Sequence, residues 1–287
     1  MEYTTLSETG VRMGRLGFGG APAGLKNYLE IYDPEDRNQR SEQLAAIRRA
    51  LELGVTYFDT APGYGGGASE LIFREGLAGC SEAVFLATKV SHRNRDGVRG
   101  SIAGSLERLG RGRLDLVQIH GSSYDVALTD EILRPGGMLD ELEGLREKGV
   151  IRFLGFTSED TNDSVYRLIR TRQFDMMQIC YNLIYQHPHE PNRPFGSILE
   201  ADRARMGVVT MRTMTSGILQ DLIQTMNPEN TFDYTPGLLQ FVLSNPLVDV
   251  ALVGMRDVET VEKNVAIVED QKGRIALDRL HERYVDR

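Results

Sequence analysis

Cysteine is nearly absent: Cys80 and Cys180 are the only two in 287 residues. They are too few and too far apart for a disulfide framework or a thiolate metal site, so no metal is expected, and they fit a reducing, cytoplasmic setting. Positive charge is also scarce. Lys and Arg number 33 against 41 Asp and Glu, a formal charge of −8, which argues against general nucleic-acid binding because a phosphate backbone asks for a net basic surface. The local exception, Arg93, Arg95, Arg99, Arg108, Arg111 and Arg113, reads as a solvated helix face. The opening MEYTTLSETG lacks a basic-then-apolar signal, and no apolar run approaches the ~18 residues of a membrane span. The expectation is a chain neither exported nor membrane-embedded. No low-complexity tract, sequence repeat or linker breaks residues 1–287, which therefore read as one domain. The glycine fingerprint of open, doubly wound sheets is missing too: Gly17-Phe18-Gly19-Gly20 has the wrong spacing and runs into Ala21-Pro22-Ala23-Gly24 rather than a helix start.

What the chain has is alternation. Short apolar/polar alternation at Glu2 to Leu6 and Val11 to Met13, around Glu8-Thr9-Gly10, predicts a hairpin that closes one end of a larger body. Eight apolar runs follow: Leu16 to Gly20, Val55 to Asp59, Ala83 to Lys89, Leu114 to His120, Ile151 to Ser158, Phe174 to Asn182, Val208 to Arg212 and Val248 to Gly254. Helical periodicity appears between them, at Ser41 to Leu53, Ile102 to Leu109, Leu139 to Lys148, Val165 to Thr171 and Val258 to Val268. Parallel strands need crossovers, and eight strand-helix pairs at this length match a closed (β/α)8 TIM barrel capped by the amino-terminal hairpin. In such a barrel chemistry sits at the carboxyl ends of the strands. Those ends carry Asp59, Lys89, His120, Thr157 with Ser158, Gln178 with Asn182, and Arg212. AVFLATK and LDLVQIH place a Lys and a His directly behind apolar runs, where burial is costly without partners.

The stretch Gly54 to Glu70, GVTYFDTAPGYGGGASE, ends a short buried strand on Asp59 and sets Tyr64 in a glycine-rich turn before a helix that starts near Ser69 and Glu70. It resembles the signature of the aldo-keto reductases, whose strand-ending Asp and loop Tyr form a tetrad with a Lys and a His on later strands. FLATK supplies that Lys as Lys89 and LVQIH that His as His120. IRFLGFTS is similar to the family's fifth strand, with Thr157 and Ser158 in the place of a Ser-Asn pair that holds the nicotinamide carboxamide. QICYN supplies the carboxamide-binding Gln178. VTMRTMTSGIL falls on the family's cofactor segment, so the resemblance implies cofactor contacts from Arg212, Gly217 and Leu219. VALVGMRDVETVEKNVA implies further ones from Gly254, Arg256 and Asn264, with Lys263 where the family has an acid.

The resemblance implies a nicotinamide-dependent oxidoreductase for aldehydes, ketones or sugar carbonyls. Reduction leaves an alkoxide unless a proton arrives with the hydride, and Tyr64 would supply it. A nearby ammonium on Lys89, held charged by Asp59, is expected to bring the phenol down from its usual ~10 toward working pH. His120 would position the carbonyl oxygen. Arg256 offers a guanidinium to the adenosine 2′-phosphate, so NADP(H) is favoured over NAD. Two alternatives stand beside this reading: an NAD-dependent sugar or lactol dehydrogenase, suggested by DTAPGYG, and a cofactor-binding regulatory subunit with slow turnover. His187 and His189, flanking Pro188, read as a surface loop rather than a metal site. Tyr28, Tyr32, Tyr124 and Tyr185 read equally as mouth-lining residues or loop anchors. From Arg274 onward, Ile275, Leu277, Leu280 and Tyr284 have the spacing of a packing helix.

Overall fold

A computed structural model of the protein describes residues 1–80, 84–189 and 196–279. Strands β1 (Tyr3–Thr5) and β2 (Arg12–Gly14) pair antiparallel across a 3-10 turn at Ser7–Thr9, as the alternation predicts. Then follow β3 (Leu16–Gly19), α1 (Ala21–Gly24), α2 (Arg37–Glu52), β4 (Tyr57–Asp59), α3 (Ala68–Gly76), β5 (Phe85–Val90), α4 (Arg95–Leu109) and β6 (Leu114–Ile119). The second half continues with α5 (Val126–Leu133), α6 (Met138–Glu147), β7 (Ile151–Ser158), α7 (Asp163–Arg170), β8 (Met176–Cys180), α8 (Ser197–Arg203) and β9 (Gly207–Met211). It ends with α9 (Ile218–Met226), α10 (Thr235–Leu243), β10 (Val250–Gly254) and α11 (Val258–Glu269). Strands β3 to β10 pair in parallel in the order β10-β3-β4-β5-β6-β7-β8-β9 and close on themselves, so the expected (β/α)8 barrel is found. Helix starts are fixed locally. Asp36, Asn94, Asp125, Asn162 and Asp257 each accept a backbone N–H in the first turn of α2, α4, α5, α7 and α11, worth about 1 kcal/mol apiece.

Successive side chains of a strand face opposite sides. Phe18, Phe58, Leu86, Val117, Phe156 and Ile179 point out into the core shared with the helices. Tyr57, Phe85, Leu116, Met176, Val209 and Val250 point into the barrel. The hairpin plugs that inner cluster from below with Leu6 and Met13, neither of which has exposed surface. Gly207 makes room for the plug, since a Cβ there would stand 2.4 Å from the Leu6 side chain.

Periodicity missed α5, α8, α9 and α10, and Ala21-Pro22-Ala23-Gly24, read as no helix start, forms the single-turn α1 with its Pro at the amino end, where a missing N–H costs nothing. Six consecutive residues of α10, Leu238 to Leu243, are buried, so its sequence shows no one-sided stripe; α9 does space Ile218, Leu219, Leu222, Ile223 and Met226 on one side, yet none of its residues is buried. The expected helix after Arg274 is not seen in the described residues, which hold only a 3-10 turn at Leu277–Arg279; Leu280 and Tyr284 lie outside them. Ala83, at the head of the third apolar run, lies outside them as well. The arginine run is not a solvated face. Arg95 and Arg99 bind Glu141, and Arg108 Nε binds the fully buried Glu70 at 2.6 Å, because carboxylates taken out of water need a cation that can come from far along the chain.

Candidate active site

The same alternation that fills the barrel floor with Tyr57, Phe85, Leu116 and Met176 puts Asp59, Lys89, Gln118 and Gln178 on the inside at the carboxyl ends of β4, β5, β6 and β8. Lys89 and Asp59 are each 1% exposed and form a direct ion pair. Lys89 Nζ also donates to the Thr60 carbonyl at 2.9 Å and lies 4.8 Å from the centre of the Tyr64 ring. On its other oxygen Asp59 accepts from Gln118 Nε2 at 2.8 Å, and the same amide reaches Gln178 Oε1 at 3.3 Å. His120 follows β6 and meets Tyr64 edge to face, ring centres 5.8 Å apart.

Tyr64 reaches this cluster from a loop shaped by three successive left-handed glycines, Gly65, Gly66 and Gly67, with φ of 66°, 62° and 98°. A side chain at Gly65 would collide with the Gly24 carbonyl, its Cβ 2.0 Å from the oxygen. Helix α3 anchors the loop. Ser69 donates to the Gly20 carbonyl at 2.8 Å, and Glu70 accepts from Thr88 at 2.7 Å while pairing with Arg108.

Burial opposes the charge on Lys89, but Asp59 and Tyr64 outweigh it and hold the ammonium above its usual range. Burial pushes the Asp59 carboxyl up, against the pull of Lys89, Gln118 and Gln178. The expectation that Lys89 brings the Tyr64 phenol below 10 is corrected. Lys89 does lower it, but loss of water around the ring is the larger effect, and the phenol stands above its ordinary value. The phenol therefore keeps its proton across the neutral range. Burial, with Lys89 and Arg93 nearby, pushes His120 down to about 4, so its imidazole is neutral.

These four side chains line one cavity of about 540 Å³ that runs outward past Gly217 and Gly254 to Arg256 and Asp257. Thr157 lines it too, its hydroxyl donating to the Gly121 carbonyl at 2.7 Å. Arg212 stands at the rim in a left-handed conformation, φ 52°, paired with Glu159 at 2.7 Å, while Asn182 donates to its carbonyl at 3.0 Å. Ser158 faces away from the cavity and donates to the Asp160 carbonyl at 3.0 Å. Leu219 and Asn264 are not on the wall: the Leu219 N–H caps onto Thr215, and Asn264 is 1% exposed with neither amide atom partnered among the described residues. Arg256 is held by the segment before α2. It donates to the Pro22 and Tyr28 carbonyls at 3.2 and 2.8 Å, pairs with Glu30 at 2.6 Å and lies over the Tyr32 ring. Lys263 pairs with Asp233 at 2.6 Å. Of the loop tyrosines, Tyr28 lines the cavity, whereas Tyr32 and Tyr124 are buried anchors bonded to the Ala23 and Thr157 carbonyls. Among the described residues no group of His, Cys, Asp and Glu could hold a metal ion.

Sequence reasoning missed Gln118 and Glu70. Gln118 was legible in principle, since it stands two residues before His120 on the same face of β6. Glu70 carried the signal of a helix start, and nothing local marks its buried bond to Thr88.

The model of the Aldo/keto reductase family matches residues 15–276. L-galactose dehydrogenase of Arabidopsis thaliana is 27% identical, with 93% of this chain and 88% of that protein covered. Methylglyoxal reductase of Escherichia coli is 27% identical with 88% of each covered, and D-threo-aldose 1-dehydrogenase of a Pseudomonas species is 26% identical over 85% and 78%. Among solved structures, the holo form of an aldo-keto reductase from Bacillus halodurans superposes with a TM-score of 0.77 at 20% identity, covering 97% of this chain and 93% of that one. An aldo/keto reductase of Klebsiella pneumoniae in complex with NADP and acetate gives 0.74 at 22%, covering 98% and 94%.

Proposed function

As the chain belongs to the aldo/keto reductase family and is an oxidoreductase of that type, we propose that it interconverts a small aldehyde, ketone or sugar carbonyl with its alcohol at the Tyr64 cavity. The observation that carries this is the charged Lys89 standing between Asp59 and Tyr64 inside a water-poor pocket. When bound, a nicotinamide cofactor supplies or takes up the hydride. Tyr64 Oη gives its proton to the carbonyl oxygen as negative charge develops there, and Lys89 stabilises the phenolate left behind. Asp59 keeps Lys89 protonated in a site that would otherwise neutralise it. Neutral His120 offers its ring N–H to the same oxygen and orients it. Assembly of all four groups in one cavity favours turnover over a purely regulatory subunit.

The residues present fit a dinucleotide. The cavity extends well beyond the four catalytic groups, past Arg212, Gly217 and Gly254 to Arg256. Thr157 and Gln178 would take the carboxamide, Arg212 and Gly217 the pyrophosphate, and Arg256 the adenosine end. NADP(H) is our first reading, on the charge of Arg256. The Glu30 carboxylate already on that guanidinium favours a second, NAD-linked oxidation of a sugar, in keeping with the dehydrogenase relatives.

Two experiments test this. Tyr64→Phe removes only the proton donor and should lower turnover at least ~10²-fold on a panel of aldehydes, ketones and aldoses, with cofactor affinity little changed; near-normal turnover would remove Tyr64 from the mechanism. Dissociation constants for NADPH and NADH should separate the two cofactor readings. Under the first, Arg256→Ala weakens NADPH about 10- to 100-fold and spares NADH; tighter NADH in the wild type, with no selective loss in Arg256→Ala, selects the second.

A further inference from the structure

At the opposite end of the barrel from the active site, a hollow of about 590 Å³ opens between β2, the loop from α4 to β6 and the start of β7. Four guanidinium groups line it, Arg12, Arg111, Arg113 and Arg152, against the single carboxylate of Asp115. Such a concentration is notable in a chain of net charge −8. Other partly buried arginines are matched to acids, as in Arg15 with Glu2, Arg108 with Glu70 and Arg256 with Glu30. Here they are not. Among the described residues Asp115 is the only carboxylate within 4.0 Å of any of the four, at 4.0 Å from Arg111, and it already accepts the Leu86 N–H at 3.1 Å.

The guanidinium groups are also arranged. The guanidinium carbon of Arg12 stands 4.1 Å from the centre of the Tyr3 ring and that of Arg152 4.8 Å from the centre of the Phe153 ring, cation–π contacts that hold the two groups in place without using a hydrogen-bond acceptor. Arg111 is 15% exposed, and its Nη2 is buried without a partner among the described residues, a costly state that a bound oxyanion relieves. The lining is mostly polar, with a small apolar strip from Val11, Val84 and Phe85.

We propose that this hollow binds a small phosphorylated molecule at a site separate from the active centre. A phosphate of charge near −2 matches several forked guanidinium donors better than a single carboxylate does. The volume exceeds what a free phosphate needs, so the phosphate bears a small polar organic body, such as a sugar, that suits the mostly polar lining.

Isothermal titration calorimetry at fixed ionic strength in chloride tests the site with inorganic phosphate, pyrophosphate and a hexose phosphate. The wild type is compared with Arg113→Gln/Arg152→Gln, two exposed positions whose change leaves the fold intact, and with Arg256→Ala as a control for binding at the active-site mouth. Expected are saturable binding of the hexose phosphate, weakened about tenfold or more by the paired substitution, no loss in Arg256→Ala, and unchanged basal turnover in Arg113→Gln/Arg152→Gln. Absence of saturable heat up to roughly 10 mM ligand, equal affinity in the paired variant, or loss in Arg256→Ala would each overturn the proposal.

Discussion

The upper and lower halves of the barrel interior are built by the same strands only two or four residues apart, yet they obey opposite rules. The floor is apolar, from Leu6 and Met13 of the hairpin through Tyr57, Phe85, Leu116 and Met176. The ceiling is Asp59, Lys89, Gln118 and Gln178, equally buried but polar. Burial stabilises the floor directly, at roughly 1.5–3 kcal/mol for each large side chain taken out of water. At the ceiling the same burial costs free energy that the ion pair and its hydrogen bonds only partly return. Stability and chemistry therefore reside in different layers of one strand set.

That division can be broken most severely at Asp59. Asp59→Ala leaves the Lys89 ammonium buried without its partner and is expected to cost about 3–5 kcal/mol in urea unfolding as well as activity. The double variant Asp59→Leu/Lys89→Met should recover wild-type stability or exceed it while remaining inactive; if it is no more stable than Asp59→Ala, the ceiling is not the costly layer. Leu6→Ala probes the floor. A loss of about 2–5 kcal/mol is expected from the cavity beneath the barrel, with turnover preserved below the melting temperature, and a collapse of kcat in the folded variant would show that the two layers are not separable. The smallest effect is in pH dependence. Reduction needs Tyr64 protonated and His120 neutral, and with His120 at about 4 and the phenol above 10 the kcat/KM for carbonyl reduction should be flat from about pH 5.5 to about 8.5. It falls on the alkaline side, where the phenol ionises, and on the acid side only as His120 takes a proton near pH 4. Alcohol oxidation, which needs the phenolate, should rise with pH over that window, and an inflection near pH 6.5 in reduction would contradict a neutral His120.

The alternation of apolar runs and helical stripes was enough to foresee a closed barrel, because each strand is buried on both faces and each detected helix on one. Asp59, Lys89 and His120 stood out because polar groups directly behind apolar runs need a reason, and Tyr64 because of its glycine-rich turn and the family resemblance that turn carries. Gln118 did not, since an amide inside a strand looks like a minor interruption until its parity with His120 is considered. The partners of Arg256 were illegible for another cause: residues 22 to 30 have no period, and nothing in the sequence ties Glu30 to a position more than two hundred residues later. The same holds for Glu141 with Arg95 and Arg99, where only the folded helices reveal a carboxylate that must be neutralised. The Tyr64 phenol shows a difference of magnitude, because the neighbouring charge could be inferred from spacing but the extent of desolvation could not.

The hairpin that plugs the floor has a consequence in time. It is made before the barrel strands, while its anchors lie in the second half of the chain. Ser7 donates to the Arg205 carbonyl at 2.6 Å, Glu8 pairs with Arg205, Arg15 donates to the Val248 carbonyl at 2.9 Å, and Glu2 pairs with Arg274. During synthesis at about 5–20 residues per second the plug waits on the order of ten seconds or more for its socket. Leu6 and Met13 stay exposed to whatever else in the cell binds short apolar segments until β9 and β10 complete the ring, so closure of the barrel and docking of its first residues are one late event.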